Sequence, residues 1–295
     1  MINLILKITI FILFLYINIL YAKVSFANIV VISYESYNNE NLNIEAINDH
    51  ISILAKEKYF IFSTNIIAGL LTDSKILPDY SVAVIISSNK KQIINSIWPL
   101  FAKASLQFTL FIDPHLINKD KNYMSWDDIK ILQNNGLEIG IRSSPNNISK
   151  EIILYKKKLN IEPITYLYKK GIWSENEIQI LNKHNIKIAF TDNSGPISKK
   201  MGRYKLPRFN VSGKFSDTKR LQTVLETLPL EITDILPQGN TIINNPPLYG
   251  FTLINGSHIP TCYTNNNNKA EVSVINKNRV EVRTKQFNDL KARIN

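Results

Sequence analysis

Two rhythms of apolar and polar residues alternate along this chain, and the switches between them predict an α/β protein. Consecutive apolar, largely β-branched residues read as buried strands: NIVVIS at 28–33, VAVII at 82–86, FTLFI at 108–112, LEIGI at 137–141 and IKIAFT at 186–191. Between the first two strands, Ile44, Ile47, Ile51 and Leu54 recur at helical spacing and form one buried stripe. A helical stretch interrupted by Pro99 follows the second strand. Ser125 and Asp128 have the spacing of a capping box, Trp126, Ile129 and Leu132 form its stripe, and Gly136 supplies the stop. A second box, Ser174 to Glu177, carries a hydrophobic staple of Trp173 on Ile178, and its helix ends near Asn185. Strand and helix in alternation predict a parallel sheet, open or closed into a barrel. Residues 195–213 read as loop, with Pro196, Gly202 and Pro207. GFTLI, AEVSVI and RVEVRT near the end are short alternating segments between Asn-rich turns, the pattern of a small antiparallel β element.

The N-terminus adds a location. Lys7 precedes ITIFILFLYINIL, and SFA follows at Ser25–Ala27, so residues 1–27 read as an export signal cleaved after Ala27. An uncleaved anchor is the alternative, although the apolar run falls short of the ~20 residues of a span. Either way the folded part is expected outside the cytoplasm, periplasmic or extracellular, touching the membrane only through that segment. Cys262 is the single cysteine, so no internal disulfide can form and the thiol reads as a small buried hydrophobe. The formal charge is +11, but only seven of the 35 basic residues are Arg and the Lys are scattered. With no aromatic RNA-binding motif, zinc finger or basic helix, nucleic acid is set aside as a partner.

Several stretches resemble the polysaccharide deacetylases, the carbohydrate esterases with a NodB-homology domain. LPDYSVAVII resembles the entry to their first motif, IWPLFAKASLQFTLFI their second helix and strand, and YMSWDDIKILQNNGLEIGIRS the approach to their histidine motif. YKLPRFNVSGKFSDTKRLQTVLETLPLEITDILP, YGFTL and RVEVRTKQFNDLKARIN resemble later segments of envelope members. The resemblance implies a distorted (β/α) barrel over residues 28–240 and a small antiparallel β extension over 241–295, which ends short of where relatives would continue. It also implies hydrolysis of N-acetyl groups, non-peptide C–N bonds, on envelope or extracellular glycans, with a divalent metal, usually zinc, activating a water.

The residues that would do this chemistry are replaced. The first motif ends in Asp-Asp; here Ser87 takes the place of the base and Ser88 that of a metal ligand. Neither hydroxyl ionises near pH 7. The His-Ser/Thr-x-x-His frame reads Arg142-Ser143-Ser144-Pro145-Asn146, which puts Arg142 and Asn146 at ligand positions. The Arg-x-Pro-Tyr-Gly-like turn reads Leu167-Tyr168-Lys169-Lys170-Gly171, so Leu167 stands where the base is oriented and only the glycine survives. No late Leu-x-His motif supplies an acid. No catalytic or metal position is therefore intact, and no cofactor is expected.

Two readings remain. In one, the mouth has become basic: Arg142, Lys169, Lys170 and Lys90 would converge on carboxylates or phosphates of an N-acetylated or anionic glycan, with Tyr166 and Tyr168 as stacking faces. Trp126 reads as core-facing. In the other, an active deacetylase has relocated its ligands to Asp113, His115 and Asp192, of which the first two follow a buried strand. The plainer account of FIDPHLI is an Asp-Pro turn with an exposed His. His50 reads as a helix-surface or core-edge residue, His184 as a partner of a helix C-terminus, and His258 as a loop residue. An inactive glycan-binding or scaffold protein of the envelope, or a decaying gene product, accounts for the losses.

Overall fold

The computed structural model describes residues 28–35, 40–72, 78–198, 201–237, 244–254, 259–263 and 269–287. The expected export segment and His258 lie outside the described residues.

The five predicted strands form, and with a sixth that the sequence pattern does not mark, at Thr165–Tyr168, they are parallel. β1 (Asn28–Glu35), β3 (Ser81–Ser87), β4 (Thr109–Ile112), β5 (Glu138–Ser143), β6 (Thr165–Tyr168) and β7 (Ile188–Phe190) stand in the order β7-β6-β5-β4-β3-β1. β8 (Ile197–Ser198) adds antiparallel to β1, and β9 (Phe209–Asn210) pairs parallel with it. Short β2 (Phe60–Phe62) pairs with Ser81–Ala83 of β3, and β4 pairs with Ile85–Ser87 of the same strand. The sheet curls into a half-barrel of mostly parallel strands, the distorted barrel that the family resemblance implies.

Helices α1 (Ile44–Leu54), α2 (Thr64–Thr72), α3 (Trp98–Lys103), α4 (Trp126–Asn134), α5 (Ile148–Leu159), α6 (Glu175–Lys183) and α7 (Thr218–Leu225) accompany it. Pro99 does not interrupt a helix. A π-helical turn at Ile93–Ile97 runs directly into α3, so helical backbone continues through Pro99 and the proline coincides with a change of helix type rather than a stop. Ser125 and Asp128 close the full capping box on α4. At α6, Ser174 Oγ accepts from the Glu177 N–H at 3.2 Å, while the buried Glu177 carboxylate accepts from the Ser174 hydroxyl at 3.1 Å. Trp173 and Ile178 are both partly buried against the main core.

Strand alternation divides that core into two shells. Val30, Ile32, Tyr34, Val82, Val84, Ile86, Leu110 and Ile112 point outward to meet the helix stripes, Trp126 among them. Ile29, Val31, Ala83, Ile85, Phe111, Leu167, Ile188 and Phe190 fill the barrel interior. Gly140 lets Phe111 in: a Cβ there would lie 2.5 Å from the ring, which also packs edge-on against Phe190. A polar plug closes the bottom. Glu138 accepts from the Asn65 N–H at 2.9 Å and from the Thr64 hydroxyl, placing a carboxylate at the start of α2, where the helix dipole favours it.

A separate antiparallel sheet has the order β10-β11-β13-β12, from Ile232–Leu236, Tyr249–Leu253, Arg279–Arg283 and Glu271–Ile275. Its first strand precedes position 241. Cys262 is buried in this sheet's own core, and burial pushes its thiol pKa up, so it stays protonated and unreactive.

His50 belongs to the core rather than to a helix surface. It is fully buried, its Nδ1 facing the Tyr34 hydroxyl at 2.9 Å and its Nε2 facing the Ser216 carbonyl at 2.9 Å. A carbonyl can only accept, so Nε2 carries the proton and the tyrosine donates to Nδ1. Burial lowers the imidazole pKa, against smaller opposing effects of the Ser216 carbonyl, Asp49 and Asp217. The unfolded chain takes up a proton near pH 6.5 that the fold resists, so His50 costs stability as pH falls through that value. The urea midpoint is expected to drop between pH 7.5 and 5.5, and to drop less in His50→Gln. Equal drops would remove His50 as the cause.

Candidate functional site

The interior-facing positions at the C-terminal ends of the strands form one polar shelf above the apolar interior. In a parallel barrel, this end is where chemistry is usually placed. Glu35, Ser87, Asp113, Arg142 and Lys169 stand there, each two residues beyond the last interior position of its strand or at the strand's end.

Arg142 is the centre of the shelf. Its Nη1 donates to Ser87 Oγ at 2.9 Å and its Nη2 to Asp113 Oδ2 at 2.9 Å. Lys169 Nζ approaches the same Oδ2 at 3.6 Å. Asp113 is fully buried, and its backbone is clamped by the buried Asn89 side chain, which donates to the Asp113 carbonyl at 3.0 Å and accepts from its N–H at 3.1 Å. Asn89 thereby extends the β3–β4 ladder beyond the last strand pair. The expected Asp-Pro turn with an exposed His115 is present, as a 3-10 turn at Pro114–Leu116 with Asp113 at its N-cap, and the Asp113 side chain in addition anchors an ion pair.

A second pair lies beside the first. Glu35 faces Ser87 in the β1–β3 register. Arg208, only 2% exposed, donates through Nη1 to Glu35 Oε1 and to Ser33 Oγ, the latter at 2.7 Å. Two carboxylates and two guanidiniums thus interlock across β1, β3, β4 and β5.

The other predicted positions separate from this centre. Ser88 is buried, its hydroxyl accepting from the Lys90 N–H at 3.2 Å. Asn146 lies exposed in a 3-10 turn at Pro145–Asn147. Leu167 is buried in the barrel interior. Tyr166 and Tyr168 point outward into the helix-facing core, so neither offers a ring to a sugar; Tyr166 instead donates to the Ser143 carbonyl at 3.1 Å. Lys90 does not converge on Arg142. Its ammonium sits 4.4 Å over the Tyr123 ring, beside a shallow polar hollow lined by Lys91, Gln92 and Lys121. Lys170 is exposed, in a left-handed conformation. His184 caps α6 and meets Ser149 Oγ at 3.0 Å; burial, then Lys156 and Lys183, lower its pKa, which keeps the ring neutral rather than charged against the dipole.

His115 is half-exposed but not solitary. Its Nδ1 lies 3.1 Å from Glu151 Oε1 of α5, and Asp113, His115 and Glu151 each present one donor atom within 4.8 Å of the others. Burial pushes the Glu151 carboxyl up. Asp192 does not belong to this group: its carboxylate and N–H crowd Gly171, where an added Cβ would stand 2.0 Å from Oδ1 and 2.5 Å from the backbone nitrogen. Gly171 also has φ +66°, so Gly171→Ala is expected to cost about 2–3 kcal/mol through strain and overlap. Chemical denaturation checks this, and a change within ~0.5 kcal/mol would mean that the turn relaxes freely.

Sequence reasoning missed Glu35, Asn89, Glu151 and Arg208. Glu35 carried a signal, a charge on the interior parity of an apolar strand. Glu151 was masked by its ordinary place in the first turn of a helix, where acids are common.

The positions matching the deacetylase metal ligands do not fit a divalent ion. Ser88 and Asn146 offer neutral oxygens, and Arg142 brings a fixed positive charge onto the shelf. Unit charges ~4 Å apart near a protein surface repel by about 4 kcal/mol each.

The fold itself is that of the NodB-type polysaccharide deacetylases. The deacetylase PplD of Streptococcus pyogenes, solved in complex with acetate, superposes with a TM-score of 0.60 at 18% identity, over 68% of this chain and 99% of that one. IcaB from Ammonifex degensii gives 0.60 at 13% identity, over 68% and 98%. BC0361, a polysaccharide deacetylase from Bacillus cereus, gives 0.57 at 12% identity, over 68% and 69%. No protein-family model and no curated protein sequence matches the chain.

Proposed function

We propose that this chain is an exported protein of deacetylase ancestry that binds an N-acetylated or anionic glycan of the cell envelope without hydrolysing it. The observation that carries the reading is the Arg142 fork. One guanidinium spans Ser87 and Asp113 at 2.9 Å each, so the place of a catalytic cation is taken by a tethered one. A metal ion can polarise a water for attack on an amide; a guanidinium can bind and orient an oxygen but does not generate hydroxide near pH 7. Ser87 at the position of the base remains neutral for the same reason. Arg142 and Lys169 keep partial exposure and could accept a carboxylate or an acetamido oxygen from solvent. The glycan class is supported by the deacetylase fold, and export by the N-terminal apolar segment with its small-residue end.

The test is acetate release from N-acetylglucosamine oligomers with zinc supplied, alongside binding of the same oligomers by calorimetry. Binding without acetate is the expected result. Acetate release would restore the family activity and end the silent reading. Absence of binding would end the glycan reading.

A further inference from the structure

The shelf holds one group of side chains that the ion pairs do not use up. Asp113 spends Oδ2 on Arg142 and Lys169, yet its Oδ1 is buried with no hydrogen-bond partner. Glu151 is almost fully buried; the Ser143 hydroxyl lies close enough to favour its charged form, but neither carboxylate oxygen has a hydrogen-bond partner of good geometry. The nearby Ser143 hydroxyl turns to the Ser144 carbonyl instead, at 3.2 Å. The closest nitrogen is that of the half-exposed His115, its Nδ1 at 3.1 Å from Oε1. A buried carboxylate left in this state is costly unless something pairs with it.

We propose that Asp113 Oδ1, His115 Nδ1 and Glu151 hold a borderline divalent cation such as zinc, at a place distinct from Ser88, Arg142 and Asn146. Two carboxylates and one imidazole are a donor set for such ions, and three protein ligands leave an open position. Tetrahedral ligand bonds of about 2.0–2.2 Å put donors about 3.3–3.6 Å apart. His115 Nδ1 and Glu151 Oε1 already stand 3.1 Å apart, and with all three donors within 4.8 Å the widest pair needs at most about an ångström of closure on the ion. His115, half in solvent on a short 3-10 turn at Pro114–Leu116, can supply it. Arg142 and Lys169 both bind Oδ2 of Asp113 and leave Oδ1 as the oxygen without a partner; their positive charges weaken the site, and its three donors must outweigh them. A carboxylate gripped on one oxygen presents the other in a fixed direction, as outer partners of metal ligands commonly arrange. The tethered cation at Arg142 and a bound one beside Glu151 would therefore share Asp113, one on each oxygen.

The experiment is zinc titration of the purified chain by calorimetry, with cobalt(II) absorption as a readout of the donor set. One ion per chain is expected. His115→Ala and Glu151→Gln should each weaken it by roughly tenfold or more, and Ser88→Ala and Asn146→Ala should leave it unchanged. Zinc should raise the thermal midpoint of the wild type and not that of His115→Ala, a half-exposed change that the fold tolerates even if Glu151→Gln does not fold. No binding, or binding indifferent to both ligand substitutions, overturns the site. Loss on Ser88→Ala would return the ion to the deacetylase position and overturn it equally. The site and the silent reading fail separately: acetate release from the zinc-loaded chain ends the latter and leaves the ion site standing.

Discussion

Arg142→Ala is expected to destabilise the fold by about 3 kcal/mol, measured as a shift in urea unfolding at neutral pH. The loss comes from what stays behind. Asp113 is fully buried, and without the guanidinium its charge would face only Lys169 at 3.6 Å and the Asn89 clamp on its backbone. Breaking a buried pair from one side costs about 3–5 kcal/mol, and the partial exposure of Arg142 places this case at the lower end. Arg142→Lys should recover only part, because an ammonium on a flexible stem cannot span Ser87 and Asp113 as the planar fork does. Asp113→Asn added to Arg142→Ala should recover more, since the residual cost is the stranded charge. If the single alanine variant unfolds at the wild-type midpoint, the guanidinium is not the structural replacement proposed for the metal.

Arg208→Ala should cost more, about 3–5 kcal/mol. Both members of its pair are buried, Arg208 at 2% and Glu35 at 8% side-chain exposure, so water cannot solvate the carboxylate left alone. Ser33 loses its donor in the same step. Arg208→Met with Glu35→Leu is expected to regain most of the stability, since apolar replacement of a whole buried pair is often neutral or better. A double variant as unstable as the single one would show that the pair supplies shape rather than charge balance. Together the two arginines balance the charge of the shelf: each guanidinium pairs with one inward-facing carboxylate.

The helical stripes and strand cores were legible because they depend on neighbours in the chain. The capping box of Ser125 and Asp128 closes within one turn, and the alternation of β1, β3 and β4 follows from the pleat. The same locality misled where one side chain had two plausible faces. Tyr166 and Tyr168 looked like sugar platforms after a strand, yet the parity of β6 sends both outward under the helices and sends Leu167 and Lys169 inward. His50 looked like a stripe edge, and only the approach of Ser216 from 166 residues away made it a core donor.

The sequence by itself determined five of the parallel strands, the helices with clear stripes and caps, and the absence of carboxylates and histidines at the positions matching the deacetylase motifs. These follow from residue type and spacing, whereas the curl of the sheet came from the family resemblance. Tertiary structure decided what occupies that place. Arg142 meets Ser87 across 55 residues and Asp113 across 29, Arg208 meets Ser33 across 175, and Glu151 reaches the shelf from a different helix. A charged side chain carries no mark of its partner in the local pattern. Its partner is chosen only when burial removes water and the nearest opposite charge must replace it.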